Sequence, residues 1–300
     1  MNNKIVLVGT GFVGTTMVFS MINSKLIDEI VLIDTDNDKA VGEEIDLLNS
    51  EVLIQNDVNI HAGTYEDCTD AKIVIITAGV SNKNAKSRLE LVNDNSKIIK
   101  NITENVINSG FNGIFLVASN PVDIMAYVIK KVSGFDDKKV IGTGTLLDTA
   151  RLKYVLSEKY EIDSKNIEGY VIAEHGDSSV IPWEYVKINN ENINLTKLEK
   201  EEIHKEVINM GYDISSKKHA TYYGIAMCLN KIVEAILEDK NELIPVSTYL
   251  EKENLYTSVP CIINKNGIKE KVILNLNDED KIKFNKSCNI LKEVMNSNNI

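Results

Sequence analysis

Three hundred residues, 43% of them hydrophobic, suffice for about two domains and exclude a disordered or collagen-like chain. The net charge of −11 argues against nucleic acid and anionic membrane surfaces as partners, because the field of the whole chain repels both. No apolar run approaches the roughly 18 residues that a membrane span requires. Met-Asn-Asn-Lys leads straight into a strand-like run, so no signal peptide is expected. Cys68, Cys228, Cys261 and Cys288 lie far apart with no C-x-x-C pair, which suits reduced thiols in a cytoplasmic protein.

Short runs rich in Val and Ile occupy residues 4–9, 29–34, 73–79 and 114–118, with a further run at 140–144. Their unbroken apolarity predicts strands covered on both faces, as in a parallel sheet. Helical patterns lie between them at 13–23, 40–50, 88–109 and 122–132. Strand–helix alternation implies right-handed crossovers and a Rossmann-type doubly wound α/β sheet. After Gly144 the pattern changes. A helix beginning near Asp148, a strand-like GYVIAEHG (169–176), helices at 198–216 and 223–238, and a three-run antiparallel meander predict an α+β second half. The meander turns at Asn266-Gly267, and a last helix covers 278–295. The expected division is residues 1–144 for dinucleotide binding and 145–300 for substrate.

The first strand ends in Gly9-Thr10-Gly11-Phe12-Val13-Gly14, a G-x-G-x-x-G that opens a helix. Gly9 permits the tight turn, Gly11 admits a pyrophosphate to the helix N-terminus, and Gly14 allows close helix–strand contact. Asp34 ends the next strand 20 residues beyond Gly14. A carboxylate there accepts hydrogen bonds from ribose hydroxyls and repels a 2′-phosphate, so the expected cofactor is NAD rather than NADP. No metal site is expected.

Of the four histidines, His204 falls in a Glu/Lys-rich helix and reads as a surface residue, while His61 and His219 have no acidic partner evident in sequence. His175 lies in Glu174-His175-Gly176-Asp177, directly after an apolar run. Four motifs occur in order: SNPVD (119–123), GTGTLLDTAR (142–151), EHGD (174–177) and ATYYG (220–224). Together they resemble the L-lactate dehydrogenase family of the lactate/malate dehydrogenase superfamily, and the likeness runs from Lys4 to about Met295.

That resemblance implies an NAD-dependent oxidoreductase acting on small 2-hydroxy and 2-oxo acids. His175 would be the acid–base group, since an imidazole titrating near neutrality serves both directions. Asp148 would fix its tautomer, and Arg151 would grip the substrate carboxylate with a planar, two-point guanidinium. Asn120 would reach between substrate and nicotinamide, with a cis Asn120–Pro121 bond as in similar proteins, and Thr221 would line the pocket. Residues 78–92 match the family's mobile loop and following helix, where Arg88 would polarise the substrate carbonyl. Matching positions add Val13, Lys39, Tyr65, Gly79, Val80, Asn101 and Thr143 to the cofactor contacts. A homotetramer is implied, with a dimer as the alternative.

The chain departs from the family pattern in places. Asn82 stands where lactate dehydrogenases carry Gln and malate dehydrogenases Arg, and a neutral amide disfavours the second carboxylate of malate. Lys83 and Lys86 nearby keep malate dehydrogenase as an alternative, and Asn84, Ala85 and Lys86 replace the loop's usual Pro, Gly and Glu. Gly211 stands where Ala is usual. Together with Asn82 it enlarges the site, as in similar L-2-hydroxyisocaproate dehydrogenases, so longer 2-oxo acids are expected to be accepted alongside, or instead of, pyruvate. Lys153 and Glu168 replace the Arg and His that bind fructose 1,6-bisphosphate in many bacterial relatives, and a carboxylate facing a bisphosphate predicts no activation. A non-enzymatic NAD-binding protein would need the glycine turn and Asp34 but not Asp148, Arg151 and His175.

Overall fold

The structure, a computed structural model, describes residues 3–80 and 88–300, without the side chains of residues 88–90. The first half runs β1 (Lys4–Val8), α1 (Phe12–Met21), β2 (Glu29–Ile33), α2 (Asn37–Ile54), β3 (Asn59–Ala62), β4 (Ile73–Ile76), α3 (Arg88–Asn108), β5 (Ile114–Val117), α4 (Val122–Ser133) and β6 (Val140–Gly142). These six strands are parallel in the order β3-β2-β1-β4-β5-β6. The chain reverses direction across the sheet between β1 and β4, so a crevice opens at their carboxyl ends, where doubly wound folds bind ligands. Alternate residues go to opposite faces. Ile5 and Leu7 of β1 pack with Met17 and Val18 of α1, whereas Val6 and Val8 join a core with Ile99 of α3 and Ile124 of α4. Each such fully buried side chain contributes about 1.5–3 kcal/mol.

The second half runs α5 (Leu146–Tyr160), β7 (Ile167–Glu168), β8 (Lys187–Ile188), β9 (Glu191–Asn192), α6 (Lys197–Lys218), α7 (Tyr223–Leu237), β10 (Glu242–Leu250), β11 (Leu255–Asn264), β12 (Gly267–Lys271) and α8 (Asp278–Ser297). β7–β9 form a small antiparallel sheet, and α5 and α6 share a separate core through Leu152, Leu156, Ile203 and Val207. The meander β10–β12 extends the parallel sheet beyond β6, with Ser247 beside Gly142. Gly142 makes that seam possible, since a Cβ there would sit 2.8 Å from the Cβ of Ser247.

Three local readings change. β3 carries too few apolar residues to stand out in sequence, because it is a short edge strand with Asn59 exposed. The third meander strand is Gly267–Lys271, earlier than the KVILNL run suggests, because Asn264 pairs with Gly267 across a two-residue turn. GYVIAEHG is not a continuous strand: it makes single bridges, Ile172 to Val180 and Ala173 to Ser258, and Ala173 takes φ +72°. A buried alanine in that region costs on the order of 1–3 kcal/mol, and it turns the chain out of extended geometry just before His175.

Candidate active site

At the carboxyl end of β1 the three glycines do different physical work. A Cβ on Gly9 (φ +101°) would lie 2.6 Å from the Ala78 nitrogen, and one on Gly14 would lie 2.6 Å from the Gly9 carbonyl oxygen. Around Gly11, the N-cap of α1, nothing approaches within 4 Å of the same position. The open space lies where an anion would meet the helix N-terminus, so the turn fits a dinucleotide phosphate.

Asp34 leaves β2 partly buried, and Oδ2 accepts from the Thr10 N–H and the Thr10 hydroxyl at 2.8 Å each. Its Oδ1 accepts from the Asp36 N–H at 3.1 Å, and Lys39 Nζ lies 3.5 Å from Oδ2. Burial alone would raise this carboxyl, but those hydrogen bonds and the Lys39 charge hold it below its ordinary value. It is a carboxylate at neutral pH, and its Oδ1 also accepts from the Thr35 hydroxyl at 3.4 Å. Tyr65 stands close enough for the Asp34 charge to act with burial in raising its phenol. Val13 is half-buried on α1, and Thr143 is buried with its N–H on the Val117 carbonyl at 2.8 Å. Asn101 is exposed on α3 and accepts from Asn105 of the next turn.

Across the seam, Gly144 (φ +52°) and the buried Thr145 lead into α5. Asp148 sits in the first turn, where the helix dipole favours an anion, and Arg151 is three residues on, on the same face. One carboxylate serves two partners. Asp148 Oδ2 lies 2.6 Å from His175 Nδ1, and Oδ1 accepts from Arg151 Nη1 at 3.0 Å. Burial alone would raise Asp148, but the His175 and Arg151 charges hold it below the ordinary carboxylate range. The Asp148 charge in turn raises His175 above the ordinary imidazole value, against its burial. The His175 side chain keeps 23% exposure, so the ring edge carrying Nε2 can still meet a ligand.

Residues from three elements hold the His175 loop. Ala173 exchanges backbone hydrogen bonds with Ser258 of β11 at 2.8 and 3.0 Å, and the Glu174 N–H donates to Ser287 of α8 at 3.1 Å. The His175 N–H donates to Asp123 of α4 at 3.0 Å, while the Ser247 hydroxyl donates to the other Asp123 oxygen at 2.5 Å. Burial pushes the Asp123 carboxyl up to about 6, against these two bonds. Asp123 ends the SNPVD motif, and nothing in the sequence shows that its side chain turns toward His175. Replacing it with alanine leaves two buried donors unpaired, so Asp123→Ala is expected to cost about 2–5 kcal/mol. Chemical denaturation measures this, and a loss below about 0.5 kcal/mol would refute the role.

Gly211 of α6 faces the same cluster: a Cβ there would touch Arg151 Nη2 at 3.3 Å. Asn120 is exposed at the end of β5 with a cis bond to Pro121. Its carbonyl accepts from Asn95 of α3 at 2.8 Å, and Asn95 also pairs with Val80, which follows Gly79 at the exit of β4. Asn95 is a second residue that sequence reading missed. Thr221 lies in the link between α6 and α7, its hydroxyl 3.5 Å from that of Ser215. Arg88 begins α3, but its side chain and the whole of Asn82 lie outside the described residues, as do Lys83, Asn84, Ala85 and Lys86.

The other histidines are accounted for structurally. His61 lies 3.2 Å from Glu29, His204 is half-buried against the Ser179 hydroxyl at 3.1 Å rather than free on the surface, and His219 caps the end of α6. All four cysteines are buried and unbridged, and burial pushes each thiol up to about 12. Among the described residues no cluster suits a metal ion, and no helix is long and apolar enough to cross a membrane.

Residues 3–142 match the lactate/malate dehydrogenase NAD-binding domain, and residues 145–299 match the lactate/malate dehydrogenase alpha/beta C-terminal domain. An L-lactate dehydrogenase of Lactococcus lactis subsp. cremoris (strain NZ9000) is 46% identical over 310 residues, covering 99% of this chain and 98% of its own. Among solved structures, the ligand-bound minor L-lactate dehydrogenase of Enterococcus mundtii superposes with a TM-score of 0.95 at 40% identity, covering 99% of this chain and 98% of its own. A lactate dehydrogenase from a Medee basin deep-sea metagenome, MGS-M5, gives a TM-score of 0.95 at 40% identity, covering 100% and 99%.

Proposed function

The chain belongs to the lactate/malate dehydrogenase family, as an NAD-dependent oxidoreductase of the L-lactate dehydrogenase type, and from that premise we propose that it interconverts pyruvate and L-lactate with residues assigned as follows. The observation that carries the reading is the continuous Arg151–Asp148–His175 chain of contacts at the end of the cofactor crevice. When bound, NADH would supply a hydride for the substrate carbonyl carbon. Protonated His175 donates its Nε2 proton to the carbonyl oxygen and takes it back in the reverse direction. Asp148 holds the tautomer and stabilises the imidazolium, which is why the pair must be buried together. Arg151 grips the substrate carboxylate with the guanidinium edge that Asp148 leaves free. Asn120 and Thr221 orient the substrate, and Arg88 polarises its carbonyl.

In the turn that Gly9 and Gly14 shape, Gly11 and Val13 would meet the pyrophosphate, Asp34 would hold the ribose, and Lys39 and Tyr65 would flank it. Gly79, Val80, Asn101, Asn120 and Thr143 complete the cofactor surface. Residues 1–144 act as the NAD-binding part and 145–300 as the substrate part. A silent NAD-binding protein would have no need of a buried Asp148 shared between His175 and Arg151. We place the protein in the cytoplasm, which suits four unbridged thiols. We propose a homotetramer, with a dimer as the alternative; Val52 and Leu53 of α2, exposed at 69% and 86%, offer apolar area for it.

The test is kcat/KM with pyruvate, 2-oxoisocaproate and oxaloacetate under NADH. Pyruvate is expected first, 2-oxoisocaproate second and oxaloacetate last, because Asn82 offers no charge to a second carboxylate. No turnover of any 2-oxo acid would overturn the reading. Added fructose 1,6-bisphosphate is expected to leave the pyruvate rate unchanged, since Lys153 has the Glu168 carboxylate among its charged neighbours.

A further inference from the structure

We propose that Asn95 is a positioning residue, fixing the Asn120 carbonyl and the Val80 backbone in one relation so that the Asn120 side chain meets substrate and nicotinamide correctly. The inference rests on the functional reading above. Strands β4 and β5 run side by side, and the Ala118 N–H makes a closing backbone bond to Ile76 at 2.9 Å. Past that point the two chains diverge into the crevice, and side chains take over from the ladder. The Ser119 hydroxyl donates to the Ala78 carbonyl at 2.5 Å. Asn95, only 2% exposed on α3, spans the wider gap. Its Oδ1 accepts from the Val80 N–H at 2.8 Å, and its Nδ2 donates to the Asn120 carbonyl at 2.8 Å.

The chemistry demands an amide. One planar group must accept on one side and donate on the other; aspartate lacks the donor, and a leucine would leave a part-buried N–H and C=O without their partner. Gly79 makes room for it, because a Cβ there would lie 3.0 Å from Asn95 Oδ1. An aliphatic residue would satisfy packing alone at lower desolvation cost. Two separate backbone segments therefore depend on one side chain that is placed beside the site without entering it.

The experiment uses the full chain and compares wild type, Asn95→Ala, Asn95→Asp, Asn120→Ala and the Asn95→Ala/Asn120→Ala double variant. Readouts are kcat and KM for pyruvate, and NADH affinity by fluorescence. Asn95→Ala is expected to lower kcat about 10- to 100-fold, as misplacement of a reacting geometry does. The double variant should be no slower than Asn120→Ala, because Asn95 acts through Asn120. Asn95→Asp keeps the shape and the acceptor but sets a carboxylate against the Asn120 carbonyl. It should be as slow as Asn95→Ala at pH 8 and gain on wild type toward pH 5, where its protonated carboxyl can donate.

Losses that multiply in the double variant would overturn the proposal, as would an Asn95→Asp protein as fast as wild type at pH 8. Should Asn95→Ala fail to fold, Asn95→Asp carries the test. Wild-type protein inactive on every 2-oxo acid would overturn the functional reading. The NADH affinities then decide the positioning role: weakening by Asn95→Ala that vanishes in the Asn120→Ala background supports it, and unchanged affinity overturns it.

Discussion

The His175→Asn protein is expected to reduce pyruvate about 10²–10⁴-fold more slowly than wild type, with NADH affinity little changed. The loss is large because no neighbouring group among the described residues can replace the proton donor. Of the nearby carboxyls, Asp148 is held ionised below the ordinary carboxylate range, and Asp123 already accepts from the His175 backbone N–H and from Ser247. Pre-steady-state and steady-state rates measure it, and a loss under tenfold would sink the acid–base role.

The pH dependence follows from the same pair. Reduction needs the imidazolium, and the Asp148 charge raises His175 above its ordinary value of 6.5. Reduction therefore persists above that pH and falls as pH rises through the raised value, while oxidation of L-lactate climbs over the same window. Asp148→Asn should move both limbs toward lower pH. An unmoved limb would separate Asp148 from the titration. For stability, His175 contributes fully below about 6.5 and its share is lost as pH rises through the raised value. Asp148 contributes above about 3.9 and its share is lost as pH falls through the depressed one.

Arg151→Lys is expected to lower kcat/KM for pyruvate by about 2–5 kcal/mol, which is roughly 30- to several-thousand-fold, with most of the effect in KM. Arg151 is almost wholly buried and already gives Nη1 to Asp148 at 3.0 Å. A guanidinium has donors left for a carboxylate on its other edge; a lysine ammonium is a single point that must leave one partner short. Gly211 matters here too, since its bare backbone lets the guanidinium lie flat against α6. Comparison of KM for pyruvate between the two proteins, together with the inhibition constant of oxamate as a carboxylate-bearing probe, checks this. A change under threefold in both would show that the clamp is elsewhere.

Much of the fold was legible because two signals are local. A buried parallel strand must be apolar throughout, so β1, β2, β4 and β5 stand out, and a turn beside a pyrophosphate must be glycine at fixed spacing. The glycines and Asp34 could be read for chemistry before any coordinates, since each answers to neighbours within the same βαβ unit. His175, Asp148, Arg151 and Asn120 were legible only through motifs that resemble a family, because their separations along the chain carry no geometric meaning. β3 and the meander's last strand escaped, the first for want of apolar residues and the second because register depends on the turn.

What the sequence by itself determined is the set of chemical groups and the strand–helix alternation that delivers the glycine turn to a crevice. Only the tertiary structure decided how those groups share partners. Asp148 divides its two oxygens between an imidazole and a guanidinium. Asp123 reaches from α4 to the His175 N–H, and Asn95 reaches from α3 to the exits of two strands. Such contacts join residues far apart along the chain and depend on how helices settle against the sheet, and hydrophobic periodicity records which face is buried but not which polar group meets which.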